Sequence, residues 1–365
     1  MNIKRSTGVG LLLFVLTSAG AAGAKPSIYG FSLPSWSKDS YAGADARKSL
    51  ADMAGTGAKW VSIVPTWYMK DSGSSAFVAT EQTATDESVR QIIRSARSLG
   101  MQVVLKPHVN SLDDAIRPKD RRAWFRSYGE LILRYARMAE EENVALLVIG
   151  TELNSMTGPQ DVGEWESLIR GVRAVYHGKL TFATHFFDFF GIQFWNQLDF
   201  VGIDAYFPMP GGTNRGALTL SWRLLYLPVL RLAARAYGKP ILFTEFGIAS
   251  QKGANARPWD YHDFGPVDME TQKVYFEAFL DVFKDEPYFA GFLQWCWSVN
   301  PNEGGPNDRS MTVQGKSAAE VLKAYFKELN AAAPPVRDAA LDGAARSRMD
   351  EAARRARRVM SAAGE

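Results

Sequence analysis

Between residues 27 and 331 the chain alternates eight times between a short β-rich apolar run and a helical stretch closed by Gly or Asn. The predicted strands are Ile28 to Ser32, Trp60 to Val64, Gln102 to Lys106, Ala145 to Ile149, Thr181 to Thr184, Phe200 to Ile203, Ile241 to Thr244 and Phe289 to Gln294. Helical periodicity lies between them, as in Glu87 to Leu99, Arg121 to Glu141, Val162 to Tyr176 and Met269 to Phe283. Strands that are apolar throughout and separated by helices must pair in parallel, with both faces covered. Eight such units over about 300 residues predict an α/β fold, a single (β/α)8 TIM barrel whose active site lies at the C-terminal ends of the strands. A doubly wound sheet would need a glycine-rich phosphate turn after the first strand. Ser32-Leu33-Pro34-Ser35-Trp36 is not one.

The ends of the chain differ from this body. Residues 1–24 read as a cleavable export leader: Lys4 and Arg5, an apolar run from Val9 to Leu16, then Ala22-Gly23-Ala24. The run is shorter than a membrane span requires. The barrel domain is expected over 25–333, and an Ala/Arg-rich tail over 334–365, where seven Arg after Val336 stand against five acids. With the formal charge only +3 and part of it at the two ends, the body is near neutral and offers no electrostatic footprint for nucleic acid. The one cysteine, Cys296, excludes an intramolecular disulfide. A periplasmic or secreted monomer with no stable membrane insertion after leader removal is expected.

Polar and aromatic residues gather where the predicted strands stop: Trp36 after the first, Trp67 and Tyr68 after the second, Lys106 and His108 at the third. Thr151, Glu152 and Asn154 follow the fourth, His185 the fifth, Asp204 and Tyr206 the sixth, Glu245 the seventh, and Trp295 and Trp297 the eighth. Side chains alternate faces along a strand. Glu152 shares parity with Leu146, Val148 and Gly150, and Glu245 with Ile241 and Phe243, so each is expected to cap an inward row. The same rule puts Trp295 and Trp297 on one face and turns Cys296 toward the helices.

Two carboxyls opposed across a barrel mouth suit glycosidic bond cleavage. One protonates the leaving oxygen while the other attacks the anomeric carbon, at roughly 5–5.5 Å separation in retaining enzymes. Tryptophan and tyrosine rings supply faces on which pyranoses stack. Other chemistries fit less well. Lys106 could form a Schiff base but is better placed as a buried partner of an acid or a sugar hydroxyl. Asp204 is equally readable as a structural hydrogen-bonding carboxylate. His108 and His185 lack a third ligand at metal spacing, so neither a metal nor a cofactor is expected.

Taken in order, several segments resemble the mannanase-type glycoside hydrolases of family 113, in the clan of retaining (β/α)8 glycosidases. They are Trp60 to Tyr68, Lys106-Pro107-His108-Val109, Ile149-Gly150-Thr151-Glu152-Leu153, Val201 to Tyr206, Lys239 to Gly247, Arg257-Pro258-Trp259 and Gly304-Gly305-Pro306-Asn307-Asp308. The resemblance implies that Glu152 is the general acid/base, Glu245 the nucleophile, Tyr206 a hydrogen-bond donor to the nucleophile, and Trp295 the floor of the subsite at the cleavage point. It also places Lys106, His108, Trp259 and Asp308 near substrate. The wider clan carries Asn just before the acid/base, where Thr151 stands here, and an aromatic residue is expected where Ile248 is found. The expected activity is retaining hydrolysis of β-1,4-linked mannan or manno-oligosaccharides. The alternatives are another β-glycan or a host exopolysaccharide as substrate, and, in a different class, a non-catalytic glycan-binding barrel.

Overall fold

A computed structural model describes residues 26–111, 116–262 and 265–332. The expected leader and the tail from residue 334 lie outside these residues. The chain divides into a unit running to Phe326 and a second from Lys327 to Glu365, of which residues 327–332 are described, as the end of a helix.

The barrel is built from β1 (Ile28–Ser35), β2 (Trp60–Met69), β3 (Gln102–Leu105), β5 (Leu146–Thr151), β6 (Lys179–His185), β7 (Val201–Asp204), β8 (Ile241–Phe246) and β9 (Phe289–Gln294). Every neighbouring pair is parallel, and β1 pairs with both β9 and β2, which closes the ring at eight strands. A further strand, β4 (His108–Ser111), pairs with the second half of β2 in the register that β3 began, Ile63 with Leu105 and then Thr66 with His108. β3 and β4 are thus one strand interrupted at Lys106-Pro107, where proline has no N–H for the ladder. The prediction ended this strand at Lys106; it runs on to Ser111 and carries polar residues farther up the cleft.

The helices are α1 (Ala44–Gly55), α2 (Asp86–Ser98), α3 (Arg121–Glu141), α4 (Val162–Arg173), α5 (Arg215–Ser221), α6 (Leu227–Tyr237), α7 (Met269–Phe283) and α8 (Ser317–Ala332). Their starts follow from capping chemistry: Thr85, Asp120 and Asp268 each accept a hydrogen bond from a first-turn N–H of α2, α3 and α7. A π-helical turn, Trp222–Tyr226, joins α5 to α6, so residues Arg215–Tyr237 form one helix, by length and composition apolar enough to cross a membrane. Here one of its faces buries Trp222 against Phe243, Phe246 and Phe283, while Leu220, Leu224 and Leu232 are exposed.

One predicted unit departs from the pattern. Between β6 and β7 no α-helix forms; the connection holds only the 3-10 turn Trp195–Gln197. Aromatic side chains fill the place of the helix, with Phe194 stacked on Trp165 at 5.2 Å and edge-on to Phe182 at 5.6 Å. The Trp195 indole donates to the Phe189 carbonyl at 2.8 Å. Leaving out a helix frees the start of this connection to rise at the barrel mouth.

Inside the ring Ile28, Val104, Leu146, Val148, Ala183, Leu242 and Leu293 form the apolar core, with Trp60, Phe200 and Ala290 packed on it. Burying each large aliphatic chain is worth about 1.5–3 kcal/mol, which fixes the register of every strand that contributes one. Above this layer the interior turns polar, at Ser32, Ser62, Lys106, Asp204, Thr244 and Glu245, all buried.

Candidate active site

Strict alternation does not deliver the two glutamates to the mouth. In β8 the inward residue is Leu242, whereas Phe243 packs outward against Phe279 and Phe283 of α7. Glu245, on the parity of Phe243, would then face the helices. The ladder prevents this: Ile203 and Asp204 of β7 pair with Phe243 and Glu245, one extra residue on β8. That bulge turns both Thr244 and Glu245 inward, so the expected position is reached by a different route. β5 has the same device, since Val148 and Thr151 pair with Thr181 and Ala183. Gly150 there faces the helix side, where a Cβ would lie 2.5 Å from the Phe182 ring. Glu152 follows with φ of 50°, a left-handed backbone that non-glycine residues rarely adopt and that clusters at functional sites.

Glu245 is held from two sides. The Lys106 ammonium donates to Oε1 at 2.6 Å and the Tyr206 hydroxyl to Oε2 at 2.6 Å. Lys106 also donates to Asp204 Oδ1 at 3.0 Å, and the Thr244 hydroxyl to that same oxygen at 2.7 Å. Lys106 and Asp204 have 0% exposure. They present no surface to a ligand, in contrast to the substrate contacts expected of them, and act on Glu245 instead. Burial alone would strip the proton from Lys106, but the charges of Asp204 and Glu245 outweigh it and hold its pKa above the usual lysine value. Gly247 lets the next strand close in on this end of β8, because a Cβ there would lie 2.4 Å from the Trp295 carbonyl oxygen.

Glu152 shares a cleft of about 550 Å³ with Glu245, lined also by His108, Thr151, Asn154, Asn110 and Arg117. Its carboxyl has no hydrogen-bond partner among the described residues. The residue is exposed to the cleft, but the surrounding walls keep water from its carboxyl and, with the charges of Asp204 and Glu245, push its pKa up to about 8. Burial and Asp204 raise Glu245 as well, to about 7, against the pull of Lys106 and Tyr206. The two carboxyls titrate as a pair. The donors on Glu245 put the shared negative charge there and leave the proton on Glu152.

The remaining expected residues divide. His108 stacks parallel to Trp295, centroids 5.8 Å apart, and its Nε2 lies 3.5 Å from Glu245 Oε1. Burial and the Lys106 charge keep this ring neutral, and Nε2 has no hydrogen-bond partner among the described residues. Thr151 Oγ1 is buried and unpartnered in the same sense. His185, half-buried, faces Asp188, and Trp259 and Trp36 stand exposed beyond the ends of β8 and β1.

Four positions, two tryptophans, a cysteine and an aspartate, need correction or reassignment. Trp67 turns to the helices, donating to the Tyr135 hydroxyl at 2.8 Å beneath the Arg134 guanidinium. Trp297 is buried against Phe31 and donates to Ser49 of α1, so it does not share the face of Trp295. Cys296 between them is half-buried with Glu303, Asp308 and Lys316 in electrostatic reach, and burial pushes its thiol up to about 12. Asp308 is occupied by Lys316 at 2.6 Å and by Ser310, an arrangement that orders the last loop. Asn110, Ser111, Arg117 and Ser155 line the cleft without having been anticipated. Asn110 had a readable signal, since it lies two residues beyond His108 on a strand that continues. Among the described residues no cluster of three His, Cys, Asp or Glu side chains could hold a metal ion.

Comparison with known proteins agrees with this geometry. Solved structures with the same fold include a family 113 β-mannanase from Alicyclobacillus acidocaldarius in complex with ManMIm, 28% identical with a TM-score of 0.76, covering 85% of this chain and 100% of that one. A family 113 β-1,4-mannanase is 24% identical with a TM-score of 0.75, covering 83% and 99%. A GH5_18 protein from Streptomyces cattleya in complex with GlcNAc shares the fold at 14% identity and a TM-score of 0.59, covering 86% and 82%. No curated protein sequence matches the chain. The sequence model of glycoside hydrolase family 113 matches residues 29–316. The chain belongs to glycoside hydrolase family 113.

Proposed function

We propose that this enzyme hydrolyses β-1,4-linked mannan or manno-oligosaccharides with retention of configuration. The observation that carries the chemistry is the asymmetry of the carboxyl pair: Glu245 takes donors from Lys106 and Tyr206, each at 2.6 Å, while Glu152 takes none among the described residues. In the first step a Glu245 oxygen bonds to the anomeric carbon as the glycosidic bond breaks, and Glu152 gives its proton to the departing oxygen. In the second, Glu152, now a carboxylate, takes a proton from water. That oxygen displaces Glu245 and restores both groups. Trp295, with neutral His108 stacked along it, floors the subsite for the reacting sugar. The unpartnered His108 Nε2 and Thr151 Oγ1 are the groups available to its hydroxyls.

The mannan assignment rests on the family 113 β-mannanases that this chain resembles. Discrimination between mannose and glucose turns on the 2-hydroxyl, axial in one and equatorial in the other, and a buried partner left unpaired by the wrong sugar penalises it strongly. The leader-like composition of residues 1–24 supports action outside the cytoplasm. Purified enzyme incubated with mannohexaose and cellohexaose, with product anomers followed by NMR, tests the reading. Mannohexaose should be cleaved at least about tenfold faster, releasing the β-anomer first. Equal rates would move the assignment to another β-glycan, and initial release of the α-anomer would overturn the double displacement.

A further inference from the structure

The helix Arg215–Tyr237 differs from the other barrel helices in what it shows to solvent. Leu220, Leu224, Leu225, Val229 and Leu232 are each 40% to 65% exposed, whereas among the described residues no other helix of the barrel carries an exposed large hydrophobic side chain. Leu220, Leu224, Pro228 and Leu232 follow at i, i+4 spacing and make one ridge; Leu225 and Val229 make the ridge beside it. Such a ridge drifts by about 40° per step around a regular helix. The wider π turn Trp222–Tyr226 takes up part of the drift, so Leu220 and Leu232 both stand on the outside. The opposite face is committed to the barrel, where Leu218, Trp222, Leu230 and Ala233 are buried.

Charge on this helix has one sign. Residues 215–237 hold four Arg and no acid, and Lys239 follows. Arg215 and Arg231 are balanced from outside the helix, by Asp281 and Glu286 at 2.6 Å each. Arg223 donates to the Asp281 carbonyl at 3.3 Å and Arg235 lies over the Tyr288 ring at 5.7 Å, and neither has a carboxylate within ion-pair distance among the described residues. Asp285 lines the recess beside Arg223 and offsets only part of this charge. An apolar ridge bordered by cations matches an anionic lipid surface, where leucines enter the acyl boundary and arginine heads stay among the headgroups. The ridge carries no side-chain donor or acceptor with which to select a protein surface, and a second copy would bring the same cations against it. Length and composition alone would let the helix cross a membrane, but the face that packs Trp222 on Phe243 and Phe283 ties it to the barrel. It can lie only on the surface. Barrel helices run alongside the strands, so a bilayer on this face leaves the mouth open to one side.

We propose that the outer face of Arg215–Tyr237 docks flat on an anionic membrane surface and holds the barrel there with its cleft accessible. This docking does not depend on which glycan the cleft takes. The test is flotation of the full chain with vesicles of phosphatidylcholine alone and with vesicles containing about a third phosphatidylglycerol. The wild type should float with the anionic vesicles and about tenfold less with the neutral ones. Leu220→Ser/Leu224→Ser/Leu232→Ser should bind the anionic vesicles about tenfold more weakly, and Arg223→Gln/Arg235→Gln about fivefold more weakly. Melting temperatures within about 2 °C of the wild type show that the variants fold. If the leucine variant does not fold, the arginine variant decides. Absence of wild-type flotation, or equal wild-type flotation with both kinds of vesicle, overturns the proposal. Equal flotation of wild type and variants also overturns it, and places binding elsewhere in the chain, such as the Ala/Arg-rich tail. Wild-type dimers in light scattering that the leucine variant dissociates, without vesicle binding, assign the face to a second copy instead.

Discussion

Glu152 and Glu245 stand at the ends of β5 and β8, each brought there by a one-residue bulge, yet their surroundings are opposite in kind. Glu245 sits on a fully buried ammonium and a tyrosine hydroxyl; Glu152 faces an open cleft from a left-handed backbone with no donor of its own among the described residues. Two carboxyls in one cleft do not both ionise at the same pH, and the hydrogen bonds decide which keeps its charge. Evenly placed carboxylates would make a poor acid and a poor nucleophile together. Unequal support, from the buried Lys106 and Tyr206, separates the two roles in the proposed mechanism.

Removing each carboxyl in turn should have the largest effects. Glu245→Ala should lower kcat on manno-oligosaccharides by about a thousandfold or more, and Glu152→Ala by about a hundredfold or more. Azide separates the two losses. In Glu245→Ala it replaces the nucleophile and gives an inverted glycosyl azide; in Glu152→Ala it attacks the glycosyl enzyme and gives a retained one. Inverted azide from both variants, or from neither, would mean that the roles have been read from the wrong glutamates.

How much of this pair was visible in the sequence is instructive. Eight apolar runs with polar residues at their ends were enough for the barrel and for placing both glutamates at its mouth, because strand ends are set by where hydrophobic patterning stops. Alternation could not show which way Glu245 points, since a bulge has no reliable sequence signal and reverses the parity of everything after it. Trp67 and Trp297 were misplaced for a related reason: composition shows rings at strand ends, but their hydrogen bonds to Tyr135 and Ser49 depend on helices remote in sequence. The Lys106–Asp204–Glu245 cluster spans 139 positions and three strands, and only closure of the ring brings it together.

That cluster makes the difference between the two glutamates visible through pH. The proposed mechanism requires Glu245 charged and Glu152 protonated, so kcat/KM should follow a bell whose limbs both lie above the ordinary carboxyl range. Lys106→Met removes the cation that favours charged Glu245. The acid limb should move to higher pH and activity at neutral pH fall by about ten- to a hundredfold. Asp204→Asn should do the reverse to the limbs, because the Asp204 charge raises both glutamates; both limbs should move to lower pH. Tyr206→Phe removes a single donor from Glu245 and should shift the acid limb upward by less than Lys106→Met does. Limbs that stay in place in all three variants, with only KM altered, would show that these residues hold substrate and not the nucleophile.

The smallest effect is on stability, and it separates Glu152 from Glu245 without any substrate. A carboxyl whose folded pKa is raised binds its proton more tightly folded than unfolded. Its contribution is therefore complete below the ordinary carboxyl range and is lost as pH rises through the folded value, about 8 for Glu152. Above that pH the folded protein carries a charge that its cleft disfavours and that no donor among the described residues offsets. Glu152→Gln deletes the charge, so the variant should melt higher than the wild type at pH 9, by about 1–3 °C, and match it at pH 4. The opening of Glu152 to the cleft lets water screen part of the penalty, which keeps the gain small. Glu245→Gln should gain less, because its folded pKa is raised only to about 7 and neutralising it leaves the buried Lys106 charge with only Asp204 to balance it and costs a charge-assisted hydrogen bond. Calorimetry at the two pH values decides the matter. Equal gains in both variants would mean that the surroundings of the two glutamates are less different than their hydrogen bonds make them.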